Sequence, residues 1–232
     1  MWTLQSFRMQ HYRSSIPKSA CERVVARHPE AGKRKTAEYR LNRALVGTRN
    51  FHSTGELLLE YPMRDGLLHG VVYRCDDPGK VTSAEPWSNG LPHGTARQYS
   101  RDGSLLGTYR MKRGTGLDLW WNDIDPRAPR LSEARYLVDG KWHGFEWWLL
   151  DNQKGVREER HFADGQLHGI EREWNGSGRL RRGFPRYWVR GERVTKRQYV
   201  QACAADPALP RFRVADNHPR RTFPPEVARH LR

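Results

Sequence analysis

Cysteine and long apolar runs are both scarce in this chain of 232 residues. The three cysteines, Cys21, Cys75 and Cys203, lie far apart and form no Cys-x-x-Cys pair. This argues against a disulfide scaffold or a zinc finger and favours reduced thiols. No stretch approaches the roughly 18 consecutive apolar residues of a membrane-spanning helix, and the first residues lack the apolar core and cleavage site of a secretory signal. We therefore expect no transmembrane segment and a cytoplasmic location.

Catalytic motifs are also missing. The segment Gly32–Thr36 (GKRKT) lacks the earlier glycine of a phosphate-binding loop. Asp123 and Asp125 stand on a proline-bounded stretch, where carboxylates are usually solvated, and the chain contains no Gly-x-Ser-x-Gly. The sequence therefore predicts a non-enzymatic protein with no catalytic residue, no metal site and no cofactor.

Aromatic residues and positive charge are abundant. Aromatic residues make up 11% of the chain and include nine tryptophans, which is too many for a disordered polymer. The formal net charge of +15 is confined to the ends, because residues 1–43 carry +7, residues 44–178 carry −2 and residues 179–232 carry +10. Basic ends of this kind suit nucleic acid, an anionic membrane surface or an acidic partner.

The middle of the chain repeats a short frame, Asp/Asn-Gly-x-x-His-Gly. Four complete copies supply the candidate structural residues Gly66, His69, Gly70, Gly90, His93, Gly94, Gly140, His143, Gly144, Gly165, His168 and Gly169. Degenerate copies stand at Arg113-Gly114 and Arg190-Gly191, and the first glycines follow one another at steps of 24 to 26 residues. Such regular spacing indicates a tandem repeat.

Each copy has the two-residue periodicity of a strand, and Asp-Gly or Asn-Gly favours a two-residue hairpin turn. We predict an all-β fold in which tandem hairpins over residues 40–194 form one extended, twisted antiparallel sheet. Residues 1–39 would be a basic N-terminal extension, and residues 195–232 a capping helix and a basic tail. Short helical segments are predicted at both ends, one within residues 19–27 and one after Thr195, a good N-cap. Residues 211–232 would be a free tail or a strap over the sheet.

A large apolar residue precedes each first glycine by three positions. These residues are predicted to form a row on one face of the sheet: Met63, Trp87, Met111, Leu137, Phe162 and Trp188.

The glycine, the two variable residues, His-Gly and the alternating aromatic strand resemble the MORN repeat, and more closely its variant in bacterial proteins labelled YwqK-type antitoxins. The resemblance covers residues 40–194. It implies a scaffold or partner platform, including an antitoxin-like binder that neutralises a partner protein by occlusion. The chain departs from the pattern at Gly116, at the proline-rich insertion 122–131 and after Gly191.

Two sets of side chains are candidates for binding. Because adjacent tryptophans on a strand point to opposite faces, some aromatics should remain exposed as partner contacts; the candidates are Trp120, Trp147, Trp148, Tyr99 and Trp174. The basic C-terminal segment supplies candidate anion-binding residues: Arg179, Arg181, Arg182, Arg186, Arg190, Arg193, Lys196 and Arg197. The four histidines of the frame would stand roughly 10 Å apart, too far to share a zinc ion, and are predicted to be structural.

Two functions remain open at this point. The first is a protein-interaction module whose sheet binds another protein. The second is binding of an anionic polymer or surface, either nucleic acid or anionic lipid, through the basic C-terminal segment. Salt dependence would separate the two, because phosphate binding weakens steeply with salt.

Overall fold

The computed structural model describes residues 11–76 and 79–231, which are mostly antiparallel β-structure. The ten strands of the first sheet are β1 Cys21–Arg27, β2 Arg34–Leu41, β3 Ala44–Phe51, β4 Leu57–Arg64, β5 Leu67–Leu68, β6 Gly70–Arg74, β7 Ser83–Ser88, β8 Leu91–Pro92, β9 Gly94–Tyr99 and β10 Leu105–Met111. The eight strands of the second sheet are β11 Gly116–Asn122, β12 Arg130–Val138, β13 Lys141–Leu149, β14 Val156–Ala163, β15 Gln166–Leu167, β16 Gly169–Glu173, β17 Arg186–Val189 and β18 Glu192–Val194.

The predicted all-β class is confirmed, but the single sheet is not. The strands form two sheets, and the chain divides into two compact units, residues 1–108 and 109–232. Twist accumulates from strand to strand, so an open sheet rarely exceeds about ten strands without splitting. The first sheet reaches that number, and the second begins at Gly116, where the repeat frame lacks His-Gly.

The helix predicted within residues 19–27 is wrong, because Cys21–Arg27 forms the first strand. It pairs with β2 through Cys21↔Arg40 and Val24↔Ala37. The adjacent β-branched residues Val24 and Val25 suit a strand better than a helix, and the open edge of β2 provides the partner. The sheet therefore starts inside the segment that the sequence analysis assigns to a basic extension.

The predicted C-terminal helix is confirmed as α1 Lys196–Ala205. Thr195 forms a capping box with Gln198: the Thr195 hydroxyl accepts a hydrogen bond from the Gln198 backbone N–H at 3.3 Å, and Gln198 Oε1 accepts one from the Thr195 N–H at 2.9 Å. A 3-10 turn, Val214–Asn217, and the short helix α2 Pro225–Ala228 follow. The described part of residues 44–194 contains no helix, as predicted.

The hairpin turns adopt the predicted conformation. Asp65-Gly66 has φ values of 52° and 76°, and Asp139-Gly140 has 49° and 78°. The degenerate turn Arg190-Gly191 takes nearly the same values, 51° and 82°. Positive φ at both central residues gives the backbone a twist that matches the strands of a hairpin.

The back face of the second sheet carries a row of cross-strand partners: Leu119, Ala134, Trp147, Glu159 and Arg172. Helix α1 covers one part of this face, where Tyr199 is buried with Ile170 and Tyr187. Residues 211–231, the C-terminal strap, cover another part, with Phe223 and Val227 buried. Of the two predicted arrangements of the tail, the structure has the strap.

The first sheet is covered on one face by residues 11–18, the N-terminal strap. Ile16 of this strap is buried and lies so close to Gly47 that a Cβ there would be 2.4 Å from Ile16 Cδ1. Ser15 Oγ accepts a hydrogen bond from the Val71 backbone N–H at 2.9 Å. Each unit therefore buries one face of its sheet beneath a terminal segment of its own chain.

Candidate functional site

The front face of the second sheet, opposite the face beneath the C-terminal strap, carries a row of alternating charges. One residue from each of six strands contributes to the row, which we call the charge ladder: Asp118, Arg135, Glu146, Arg160, Glu171 and Arg186. Antiparallel pairing sets the order, because directly opposite residues share a face, as in Asp118↔Arg135 and Arg135↔Glu146. The local sequence signal is an acid two residues after the closing glycine and an arginine two residues before the large apolar residue.

The contacts within the ladder are long for hydrogen bonds. Arg135 Nε lies 3.3 Å from Asp118 Oδ2, and Arg160 Nη1 lies 3.6 Å from Glu146 Oε2. The guanidinium of Arg160 also lies 3.7 Å from Glu171, and that of Arg186 lies 3.7 Å from the same carboxylate. Among the described residues, buried Glu146 Oε2 and Arg186 Nε have no hydrogen-bond partner. The ladder therefore keeps unused hydrogen-bonding capacity.

Burial shifts two acids of the ladder, Glu146 and Asp118, toward the neutral form. It raises the pKa of Glu146 above its usual range, although the charges of Arg135 and Arg160 act in the opposite direction. It also raises the pKa of Asp118, against the attraction of Arg135. An acid that is poorly solvated in this way gains from an added positive charge or hydrogen-bond donor.

Tryptophans flank the ladder on the front face. Trp148 lies beneath two guanidinium groups. The centre of its ring is 5.0 Å from Cζ of Arg157 and 5.8 Å from Cζ of Arg160. Trp120 stands opposite Glu133, which in turn pairs with Trp148, so both rings share this face. Trp142, next to Leu137, is 38% exposed. The front face thus combines charge with aromatic surface.

The other three predicted partner-surface aromatics lie in packed positions, which corrects that part of the prediction. Trp147 points to the back face, donates to Glu159 at 3.0 Å and meets Phe223 of the strap edge-on. Trp174 is buried and donates from its indole N–H to the Asn217 carbonyl at 2.7 Å. Tyr99, in the first unit, is buried and stacked on His11. The straps, which the repeat pattern does not specify, account for this burial.

The predicted anion-binding residues fall into two groups. Three are engaged within the unit: Arg181 pairs with Glu173, Arg186 belongs to the charge ladder, and Lys196 Nζ lies 4.0 Å from the centre of the Phe212 ring. The remaining five are exposed, and none of them pairs with a carboxylate within the described residues: Arg179, Arg182, Arg190, Arg193 and Arg197.

Two of the frame histidines connect successive hairpin turns. His69 Nδ1 accepts a hydrogen bond from the Asn89 backbone N–H at 3.4 Å, and His168 Nδ1 accepts one from the Arg190 backbone N–H at 3.1 Å. In the degenerate copy Arg113-Gly114, the Thr115 hydroxyl makes the corresponding contact, because it accepts a hydrogen bond from the Asp139 backbone N–H at 3.1 Å. The third frame histidine, His93, donates its backbone N–H to the Pro86 carbonyl, and His143 is exposed.

The sequence analysis missed two buried glutamates that form hydrogen bonds with the straps. Glu60 is fully buried and accepts hydrogen bonds from Tyr12, from Ser14 at 2.9 Å and from Arg49 Nε at 2.7 Å. Burial opposes ionisation of Tyr12 and, together with Glu60, raises the pKa of its hydroxyl. The N-terminal strap is therefore held by polar contacts as well as by the packing of Ile16.

Glu159 has the corresponding position in the second unit, three residues before the large apolar residue of its strand. It accepts from Arg172 Nη1 at 2.6 Å and from Arg221 of the C-terminal strap at 2.7 and 3.1 Å. Burial alone would raise the pKa of Glu159, but hydrogen bonding to Arg221 and the charges of Arg221 and Arg172 lower it below its usual range.

No family model matches the chain, and no curated protein sequence matches it. Within residues 11–76 and 79–231, no group of three or more histidine, cysteine or acidic side chains is arranged to hold a metal ion. The same described residues include no helix that is long and apolar enough to span a membrane.

Proposed function

We propose that the protein is a non-enzymatic binding platform that binds a partner protein through the front face of its second sheet. The observation that carries this proposal is the difference between the two faces. Helix α1 and the C-terminal strap cover the back face. On the front face, by contrast, every ion pair between residues of the charge ladder, among the described residues, joins one strand of the sheet to another. Half-buried tryptophan and arginine are the residue types that most often anchor a protein interface.

The chemistry of the front face favours a protein partner over a uniformly charged polymer. Positive and negative groups alternate along the ladder at the spacing of neighbouring strands, so the potential changes sign across the face. A partner with an alternating charge pattern of its own would complement both signs along the face. The antitoxin-like role that the MORN resemblance implies, neutralisation by occlusion, is one form of this function and needs no catalytic residue.

Site-specific photo-crosslinking tests the proposal. A photoreactive phenylalanine analogue at Trp142, on the front face, should give protein adducts in extract from the native cell. The matched position is Val214, which is 74% exposed and lies at the start of the 3-10 turn, outside the sheet. We expect adducts at Trp142 that unlabelled wild-type protein suppresses and that an Arg160→Glu competitor suppresses at least tenfold less well. Equal labelling at Val214, or equal competition by Arg160→Glu, would contradict the proposal.

A second candidate function, binding of nucleic acid or anionic lipid, is favoured by the five exposed arginines of residues 179–197 that pair with no carboxylate among the described residues. Each contact with a phosphate of duplex DNA would contribute about 0.9 to the slope of log affinity against log salt. The double variant Arg190→Glu with Arg193→Glu should therefore bind duplex DNA, single-stranded DNA or anionic vesicles less tightly and with a shallower salt slope. If the wild type binds none of the three at low salt, this candidate fails.

A further inference from the structure

A cavity of ≈ 1200 Å³ lies in the first unit between strands β6, β7 and β9 and the N-terminal strap. The six residues that decide its chemistry are His11, Tyr12, Arg13, Lys18, Arg97 and Tyr99. Ligand pockets usually measure about 300–1000 Å³, so the cavity has room for a small organic molecule with its bound water. Neither the repeat pattern nor the proposed platform accounts for this cavity.

The lining of the cavity is positive. Arg13, Lys18 and Arg97 are all exposed, and among the described residues that line the cavity none is acidic. Within the described part of the chain these three side chains form no ion pair with a carboxylate; Arg97 Nη1 donates only to the Thr95 carbonyl, at 3.3 Å. Three cations that face one cavity and have no counter-ion among the described residues attract an anion with several negative oxygens, such as a phosphate or diphosphate.

Aromatic rings stand beside these cations. His11 stacks on Tyr99 with ring centres 4.2 Å apart and an interplanar angle of 9°, and Tyr12 meets Tyr73 edge-on at 4.9 Å. The strap that carries two of the cations, Arg13 and Lys18, is held in place, because the Tyr73 hydroxyl donates to the Arg13 carbonyl at 3.1 Å and accepts from the Arg13 N–H at 3.2 Å. Of these rings, His11 is exposed and Tyr12 is half-buried, whereas Tyr73 and Tyr99 are buried beneath them. An exposed ring beside phosphate-binding cations can stack on a nucleic-acid base.

We propose that this cavity is a nucleotide-binding site. Arg13, Lys18 and Arg97 hold the phosphates, and the exposed ring of His11, which lies on buried Tyr99, stacks on the base. The ligand is a nucleoside phosphate, either free or as a unit of a single-stranded nucleic acid. The site differs from the basic segment 179–197 and from the front face of the second sheet, both of which belong to the other unit.

Titration calorimetry on the full chain tests the proposal with ADP, adenosine, inorganic phosphate and a single-stranded oligonucleotide. We expect ADP to bind at least tenfold more tightly than adenosine or phosphate alone, since both parts of the ligand are recognised. Arg97→Glu should weaken ADP binding at least tenfold. Arg101→Glu, the same charge change at an exposed residue outside the cavity, should alter it less than twofold. A second variant, Lys18→Glu, removes another cation of the cavity and makes the same test if Arg97→Glu does not fold.

The two ligand sources are separated by the oligonucleotide. If the oligonucleotide binds more than tenfold more tightly than ADP, and Arg97→Glu weakens this binding, the ligand is a single strand. If the oligonucleotide binds less tightly than that, the ligand is a free nucleotide. The proposal is overturned if ADP does not bind at millimolar concentration, if adenosine binds as well as ADP, or if Arg97→Glu and Arg101→Glu have equal effects. It is also overturned if ADP binding depends on Arg190 and Arg193 instead, a result that would favour the second candidate function.

Discussion

Replacing Glu159 with glutamine should lower the free energy of unfolding by about 3 kcal/mol or more. Glu159 and Arg172 are both 3% exposed as side chains, and removal of one partner of a buried ion pair leaves the other charge in a poorly solvated site. The same substitution weakens the contact with Arg221, which fastens the C-terminal strap to the sheet. Denaturant unfolding followed by tryptophan fluorescence measures the effect in the second unit, where seven of the nine tryptophans lie.

The matched control is Glu158→Gln, one position earlier on the same strand. Glu158 points to the front face and pairs with Arg160 at 3.3 Å, with both side chains partly solvated. A pair of that kind contributes about 0–1 kcal/mol, so its loss should be small. Arg221→Gln should reproduce a large part of the Glu159→Gln effect, because it removes the strap's share of the contact. Equal losses for Glu158→Gln and Glu159→Gln would show that burial of the pair has no energetic consequence.

Acid should diminish this difference between wild type and Glu159→Gln. The pKa of Glu159 is lowered in the folded protein from the value of 4.5 for the free side chain. The unfolded chain therefore takes up its proton at a higher pH than the folded chain does. The stabilisation is complete above pH 4.5 and is lost as the pH falls through the folded pKa. The two unfolding free energies should approach each other below pH 4.5.

The repeat pattern accounts for those parts of the fold that depend on local geometry. Paired positive φ values at Asp65-Gly66 and Asp139-Gly140 follow from residue type and spacing, and so does the alternation that defines each strand. The capping box of Thr195 and Gln198 is local as well, and it correctly located α1. These features could be predicted because each depends on residues within a few positions of one another.

Contacts between distant parts of the chain were not predictable in this way. Glu60 and Glu159 occupy the repeat position where other copies have Ala84 and Ala134, so the pattern alone predicts a small apolar residue there. The partners that make a buried carboxylate tolerable, Tyr12 and Arg221, come from segments outside the repeat. The strand Cys21–Arg27 was missed for a related reason, since its conformation is decided by pairing with β2.

The large apolar residues predicted to form one row are divided between the two sheets, and Leu137, Phe162 and Trp188 belong to the second. One of these three, Phe162, leads to a second effect of similar size. Phe162 is 5% exposed, stands directly opposite Gly144 and meets the Trp142 ring edge-on with ring centres 4.9 Å apart. Gly144 itself has no side chain that could move into the space that a smaller residue would leave. Phe162→Ala should therefore lower the free energy of unfolding by about 3–5 kcal/mol, from lost apolar burial and an unfilled cavity together.

Two further variants separate packing from simple loss of an apolar group. Phe162→Leu keeps most of the volume and should cost less than about 1.5 kcal/mol. Ile124→Ala removes apolar atoms from a side chain that is 82% exposed, and it should change the unfolding free energy by no more than about 0.5 kcal/mol. A loss below about 1 kcal/mol for Phe162→Ala would mean that solvent reaches this position, and the row would then not be a core. A large loss for Phe162→Ala with a small one for Phe162→Leu would establish that packing of Phe162 stabilises the front face, beside the charge ladder.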